Sequence, residues 1–422
     1  MINNIRHITV FEHQKLIFNL TNQEEKNLHD SLEKFYRNYS PFFSLIRNGV
    51  QFNEHVGIIQ VGKTLIEILP KADQKSETEW RNLLIGMIQT IWNFQVKESG
   101  NSQLKISKNS VLDLYFALFI KEIEIILHKG LIKKYRKTEG NCLALKGSLQ
   151  FSKHISENVT HQERFYVKYS TYDVYHQIHS ILYLALKLVS QLNTDQTLKS
   201  KISTLFLNFP EMENIKISEK TFENITFDRK NIHYKKAFEI AKLLLLNYHP
   251  DLSKGKNNVL ALMFDMNLLW EQFVYITLKK KLLGYQISSQ QSKNFWKPQS
   301  GNNSKMRPDI ILKKINTDEE EIIILDTKWK NLNGYNPSSE DLRQMYVYHS
   351  FFRANRTGLI YPGEKFQITK GNYYSTQNDA IFSDKECNVL TIQTDKNIKT
   401  WQSNIINFIE NSILKLNNFP IK

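Results

Sequence analysis

The chain has 422 residues, 41% hydrophobic and 23% charged, enough for two or three domains with full cores and unlike a disordered or fibrous chain. Two cysteines, Cys142 and Cys387, exclude a disulfide framework and suit a reducing cytoplasm, while the polar–apolar alternation of residues 1–15 and the lack of any apolar run near ~20 residues speak against a signal peptide and a membrane span. A net charge of +14 suits a polyanionic partner such as nucleic acid.

Residues 1–110 read as a β-rich region with helical insertions. "HVGIIQVGKTLIEILPK" from His55 contains a literal phosphate-loop string, G-x-x-x-x-G-K-[ST]. Such a loop must wrap a phosphate with successive backbone N–H groups and then open a helix. Ile58, Ile59 and Val61 are β-branched and favour extended backbone, and "LIEILPK" alternates like a strand, so a hairpin turning at Gly62-Lys63 is expected. "TEWRNLLIGMIQTIWNF" from Thr78 has helical periodicity.

Residues 111–255 read as mainly helical. Helices are expected at "LDLYFALFIKEIEIILHKGLIKKY", "VYHQIHSILYLALKLVSQL" and "YKKAFEIAKLLLLNYH", with strands at "NCLALKGSLQFSKHI" and "ERFYVKYSTYD". His176 and His179 lie three apart on a helix, a metal-ligand spacing, but no third ligand is evident and a satisfied or exposed pair is expected. The cysteines lack neighbours that would activate a thiolate. "PDLSKGKNN" from Pro250 reads as a linker.

Residues 256–422 form a regular series. A long helix, "VLALMFDMNLLWEQFVYITLKKKLL", precedes a strand at 285–289 and the two apolar runs of "MRPDIILKKINTDEEEIIILDTKWK". A helix over 339–352, strands at "TGLIYP" and "NVLTIQT" and a last helix at "IKTWQSNIINFIENSIL" follow. The order is αβββαβ with one extra strand and helix, so a sheet flanked by helices is expected.

Asp326 and Lys328 are two apart at a strand end and project to one face, with Thr327 opposite. Asp309 opens the neighbouring run, and a short connection makes the pair antiparallel, bringing Asp309 beside Asp326. Two charged carboxylates so close repel unless a cation lies between them. Oxygen ligands with open positions suit Mg2+, which polarises phosphates, and Lys328 can offset charge developing on the phosphate. Acid, acid and lysine on one sheet edge point to phosphodiester hydrolysis.

Pro308-Asp309 and Asp326-Thr327-Lys328 resemble the motif of the PD-(D/E)xK nucleases. That resemblance implies a C-terminal restriction-endonuclease-like αβββαβ domain, so that, with the β-rich and helical N-terminal region read above, an α+β multidomain chain is expected. It also implies Glu271, in "NLLWEQFV", as a third metal ligand beside Asp309 and Asp326. Gln344 and Tyr348, four apart in "DLRQMYVY", share a helix face and are similar to the Q-xxx-Y feature of RecB-type nucleases. This makes Gln344 a catalytic candidate and Tyr348, with Arg343 and Lys330, a DNA-contact candidate.

Over most of its length the chain resembles the McrC family, the nuclease subunits of McrBC-type modification-dependent restriction systems. "VGIIQVGKTLIEILPK", "GLIKKYRKTEGNCLALKGSL", "MFDMNLLWEQFV", "RPDIIL", "ILDTKWK" and "DLRQMYVY" carry the likeness. Where the family usually has an asparagine before its "IL" helix, this chain has His176, Gln177 and His179. The resemblance implies a bacterial or archaeal cytoplasmic endonuclease that cleaves DNA with Mg2+. Its implied partner is a McrB-like AAA+ GTPase hexamer that recognises modified cytosine and binds the GTP, with the N-terminal region of this chain inserting into that ring and stimulating GTP hydrolysis. The alternatives are a free-standing RecB-like nuclease and a non-catalytic scaffold binding DNA or a partner.

Overall fold

The structure, a computed structural model, describes residues 6–38, 42–71, 76–91, 111–193, 195–223, 225–246, 248–249, 259–315, 321–375 and 381–414. It is a mixed α+β structure. The linker at 250–258 and most of the turn at 316–320 lie outside the described residues.

In chain order the elements begin with β1 (Arg6–Phe11), β2 (Lys15–Ile17), α1 (Gln23–Asn38), β3 (Phe43–Ile46), β4 (Gly49–Phe52), β5 (His55–Val61), β6 (Thr64–Leu69) and α2 (Glu77–Ile91). Next come α3 (Val111–Lys129), β7 (Lys134–Cys142), β8 (Ser148–Leu149), α4 (Phe151–Asn158), β9 (Phe165–Asp173), α5 (Gln177–Leu192), α6 (Gln196–Asn208), α7 (Glu219–Glu223), α8 (Lys235–Leu246) and β10 (Tyr248–His249). The last part holds β11 (Val259–Asp265), α9 (Met266–Lys281), β12 (Tyr285–Ser289), β13 (Lys293–Trp296), β14 (Ser304–Met306), β15 (Ile310–Lys314) and β16 (Ile322–Thr327). It closes with α10 (Ser339–Phe352), β17 (Arg356–Gly363), β18 (Gln367–Tyr374), β19 (Phe382–Gln393) and α11 (Ile398–Ile409).

These elements gather into two units that do not follow chain order. Residues 104–262 form one; residues 5–103 together with 263–422 form the other. The sequence reading set three segments in series, at 1–110, 111–255 and 256–422.

In the unit of residues 104–262, α3, α5, α6 and α8 bury apolar faces such as Phe116, Phe119, Ile181, Leu186 and Phe238. β7, β9 and β8 make an antiparallel sheet. The stretch expected as a strand at 141–155 splits instead: β7 ends at Cys142 and α4 begins at Phe151. Gly147 takes a left-handed φ of 72°, with Lys168 O 2.3 Å from where a Cβ would stand, so the chain turns there and cannot continue as one strand. The His176–His179 pair is structural. His179 Nδ1 lies 2.7 Å from Val174 O and its Nε2 3.0 Å from the Tyr234 hydroxyl; the carbonyl can only accept, so Nδ1 carries the proton and Nε2 accepts. Burial, and then the neighbouring His176, pull its pKa down to about 4, so it stays neutral.

In the other unit, β1 pairs parallel with β6, and β6 pairs antiparallel with β5. The phosphate-loop string is that β5–β6 hairpin, with Gly62 at φ 54° in its turn. Its glycine turn opens strand β6 where a phosphate loop would open a helix, so it does not form a phosphate cradle. The division between the units falls within β11, between residues 262 and 263. Residues 259–265 were expected as the start of a helix. They are extended because Asp265 caps α9 instead, accepting from the backbone N–H groups of Asn267 and Leu268.

The large sheet runs in the order β12-β15-β16-β17-β19-β18. β15 is antiparallel to β16, and β17 runs parallel to both β16 and β19. One face packs α10 through Met345, Tyr348 and Phe352 against Ile311, Ile324, Leu359 and Tyr361. Elsewhere α9 and α11 stack aromatics: Trp270 lies 5.5 Å and Phe273 4.8 Å from Trp401, centroid to centroid. Trp401 is fully buried, and its indole N–H has no hydrogen-bond partner among the described residues. Trp401→Ala should therefore cost about 3–5 kcal/mol by denaturant unfolding. Trp401→Phe should cost much less, because it keeps the ring stack and removes the unsatisfied donor.

Candidate active site

The β15–β16 register places Ile310 opposite Leu325, so Asp309, one residue before Ile310, comes level with Asp326, one residue after Leu325. Asp326 is almost fully buried at 1% exposure. Lys328 follows immediately, its backbone N–H bonded to Ile360 O on β17 at 3.0 Å. Its ammonium reaches back to Asp326 Oδ2 at 2.6 Å, as period-two geometry at a strand end predicts.

Gln344 on α10 closes the group. Its amide oxygen accepts from Lys328 Nζ at 3.4 Å, and its amide nitrogen donates to Asp326 Oδ1 at 3.4 Å and to the Tyr348 hydroxyl at 2.8 Å. That hydroxyl donates onward to Arg307 O at 3.3 Å. Tyr348, expected as a DNA contact, is buried, and its hydroxyl is engaged by Gln344 and Arg307. Lys330 is paired with Asp341 Oδ2 at 2.7 Å, and Arg343 is exposed on α10.

Glu271 on α9 is buried and accepts from Gln290 Nε2 at 2.9 Å. Gln290 stands just past β12 in a left-handed conformation, φ 53°, and its backbone N–H donates to Asp309 O at 3.2 Å. It thereby ties α9 to the strand carrying Asp309. Sequence reasoning missed Gln290, which shows no spacing signal. It also assigned Thr327 to the opposite face. Thr327 in fact donates to Asp309 Oδ2 from both its backbone N–H, 2.8 Å, and its hydroxyl, 3.0 Å, which fixes the Asp309 carboxylate at the strand end.

A third unforeseen support comes from the N-terminus. Trp329, next to Lys328, donates its indole N–H to Glu12 Oε1 at 2.8 Å, and the same oxygen accepts from Lys71 N at 2.7 Å. Trp80 and Trp270 pack edge-on to Trp329 at 6.1 and 5.6 Å, and Asn267 Oδ1 accepts from its backbone N–H at 3.2 Å.

Electrostatics bind the acids into one group. Burial first, and then the charge of Asp309, push the Asp326 carboxyl up to about 7 against the pull of Lys328. The same two causes raise Glu271. Burial works against the Lys328 ammonium, but Asp326 and then Asp309 outweigh it and hold its pKa above the ordinary lysine value. Asp326 Oδ2 has only the Lys328 ammonium beside it among the described residues. Hard oxygen donors grouped around the charge of Asp309, one of them with spare acceptor capacity in a buried position, fit a divalent cation such as Mg2+. Among the described residues, the one set of three ligand atoms all within 4.8 Å of one another is His29, Asp30 and Glu33 on α1. The acids of this centre stand wider apart.

The family model described as McrBC 5-methylcytosine restriction system component matches residues 50–362. No curated protein matches the chain. Among solved structures it is similar to a refined half-complex from the tetradecameric assembly of Thermococcus gammatolerans McrB AAA+ hexamers with bound McrC, at 19% identity and a TM-score of 0.64, covering 96% of this chain and 99% of that one. It is also similar to a cryo-EM structure of the Thermococcus gammatolerans McrBC complex, at 18% identity and a TM-score of 0.46, covering 66% and 89%. At these identities the first likeness is one of fold. No helix among the described residues is long and apolar enough to cross a membrane.

Proposed function

We propose a function for this chain from the premise that it belongs to the McrBC 5-methylcytosine restriction system component family: it is the McrC-type nuclease subunit, a PD-(D/E)xK endonuclease cleaving DNA phosphodiesters with Mg2+. The observation that carries this reading is the closed group of Asp326, Lys328 and Gln344 with Asp309 level on the next strand. Asp309, Asp326 and Glu271 would hold the cation, which supplies Lewis-acid polarisation of a phosphate oxygen when bound. Lys328 stays protonated and stands where negative charge builds on the attacked phosphate. Gln344 fixes the ammonium by its amide oxygen, and Thr327 fixes Asp309.

The related assembly of McrB AAA+ hexamers with bound McrC supports a McrB-like AAA+ GTPase as partner. That partner would bind GTP and choose the modified cytosine. The chain's own phosphate-loop string is a hairpin, which agrees with that division of labour.

The test combines the full chain, a McrB-like partner, GTP, Mg2+ and DNA carrying 5-methylcytosine. Cleavage is expected only when all are present, with GTP turnover by the partner raised by addition of this chain. Equal cleavage without partner and GTP would replace this reading with a free-standing nuclease. Faster GTP turnover with no cleavage would replace it with a scaffold.

A further inference from the structure

We infer that the ribbon formed by β13 and β14 is a DNA-contact arm that leads a duplex into the active site. The inference rests on the nuclease reading above for its partner and on the ribbon's own chemistry for its surface. Its two strands pair antiparallel, Lys293 opposite Met306 and Trp296 opposite Ser304, with an irregularity between Asn294 and Trp296. They form a separate two-stranded sheet between β12 and β15.

Three observations point to DNA. The segment 290–308 carries Lys293, Lys297, Lys305 and Arg307 and no acidic residue. Lys297, Lys305 and Arg307 are exposed, and none of them forms an ion pair among the described residues. Large apolar rings sit among these charges in the open, Trp296 at 60% and Phe295 at 51% exposure. Exposed aromatics interleaved with such lysines match a surface that tracks the duplex backbone and wedges a ring against a base step in the groove.

Both feet of the ribbon are also fixed at the active site. Gln290, three residues before β13, holds Glu271 and Asp309 O. Arg307, one residue after β14, offers its carbonyl to Tyr348. The base is pinned on α10: Phe295 meets Phe351 edge-on at 5.5 Å, and Lys293 Nζ lies 4.7 Å from the centre of the Phe352 ring. The outer side chains Trp296, Lys297 and Lys305 are left to solvent, on an arm whose position relative to the acids is set.

The test uses the full chain with its partner and compares wild type with Lys297→Ala/Lys305→Ala and with Trp296→Ala. DNA affinity is measured over a range of salt concentrations with Ca2+ in place of Mg2+, and cleavage with Mg2+. The double variant should weaken binding at least tenfold and flatten the slope of log Kd against log salt by about 1.8, at ~0.9 for each phosphate no longer neutralised. Trp296→Ala should weaken binding about tenfold by losing that wedge, with the slope unchanged. In both, kcat at saturating DNA and Mn2+ affinity should stay at wild-type values, since neither the acids nor Lys328 are touched. Unchanged affinity and slope would overturn the inference, as would a loss of kcat with affinity intact. Should wild type bind DNA but never cut it, the nuclease reading fails, while the salt slopes still decide the arm. If the double variant folds poorly, Lys305→Gln alone reads the same slope at about half the change.

Discussion

Asp326→Asn should abolish DNA cleavage and change how the metal-free protein responds to pH. Asparagine keeps the shape and can still accept from Gln344, but it brings no charge to hold a cation. Losing one such electrostatic interaction costs around 10²–10³ in rate, and removal of a metal ligand adds to that. The stability effect follows from the raised carboxyl, at about 7 in the fold against ~3.9 in an unfolded chain. The folded state binds this proton more tightly than the unfolded state does. Its contribution to stability is therefore full below pH ~4 and is lost as pH rises through 7. Asparagine has no such proton to lose. The melting temperature of the variant relative to wild type, both metal-free, should climb between pH 5 and 8 and then level off, and added Ca2+ should narrow the gap by binding wild type alone. A constant gap across that range, or cleavage by the variant near the wild-type rate, would remove Asp326 from the centre of the reaction.

Lys328→Ala carries the second large effect. Its ammonium is held above the ordinary lysine pKa by Asp326 and Asp309, so it acts as a fixed positive charge and not as a proton carrier. Removing it should lower cleavage around 10²–10³-fold at every pH from 6 to 9. Metal binding should behave differently. Without the ammonium the Asp326 carboxyl rises further, so protons compete with the cation at pH 7. As pH rises the carboxyl ionises, so Mn2+ binding should recover towards the wild-type level. Cleavage that returns along with Mn2+ binding as pH rises would show that Lys328 only tunes Asp326. A surface ion pair would predict neither effect, since exposed pairs contribute about 0–1 kcal/mol.

The centre of the site was legible because it is local. Two strands joined by a short turn, period-two alternation and a proline before the first acid are enough to bring Asp309, Asp326 and Lys328 together. The i, i+4 spacing of Gln344 and Tyr348 placed both on the sheet-facing side of α10. The phosphate-loop string could be rejected on its own residues, since β-branched side chains and a following proline favour the hairpin found. What could not be read depends on partners distant in the chain. Gln290 matters through a left-handed backbone that brings Glu271 and Asp309 O together. Thr327 matters because a hydroxyl at a strand end can turn to the neighbouring strand. The extended course of β11 looked helical by its apolar run, which a buried strand and a buried helix share. Trp329 and Glu12 lie more than 300 residues apart (|i−j| = 317), and nothing in either neighbourhood announces the other.

The interleaved make-up of the second unit sets the order in which this protein can be made. Residues 5–103 leave the ribosome first, but residues 263–422, which complete their unit, emerge later. At ~5–20 residues per second the gap is about 10–30 s. During it, Glu12 has no Trp329 to accept from and α2 has no α9 to cover it. The intervening residues 104–262 are synthesised contiguously and can close on themselves while the early strands wait. The nascent chain thus passes through a stage with a finished middle and an apolar, unfinished beginning, and the acidic centre assembles only once β15, β16 and α10 have emerged.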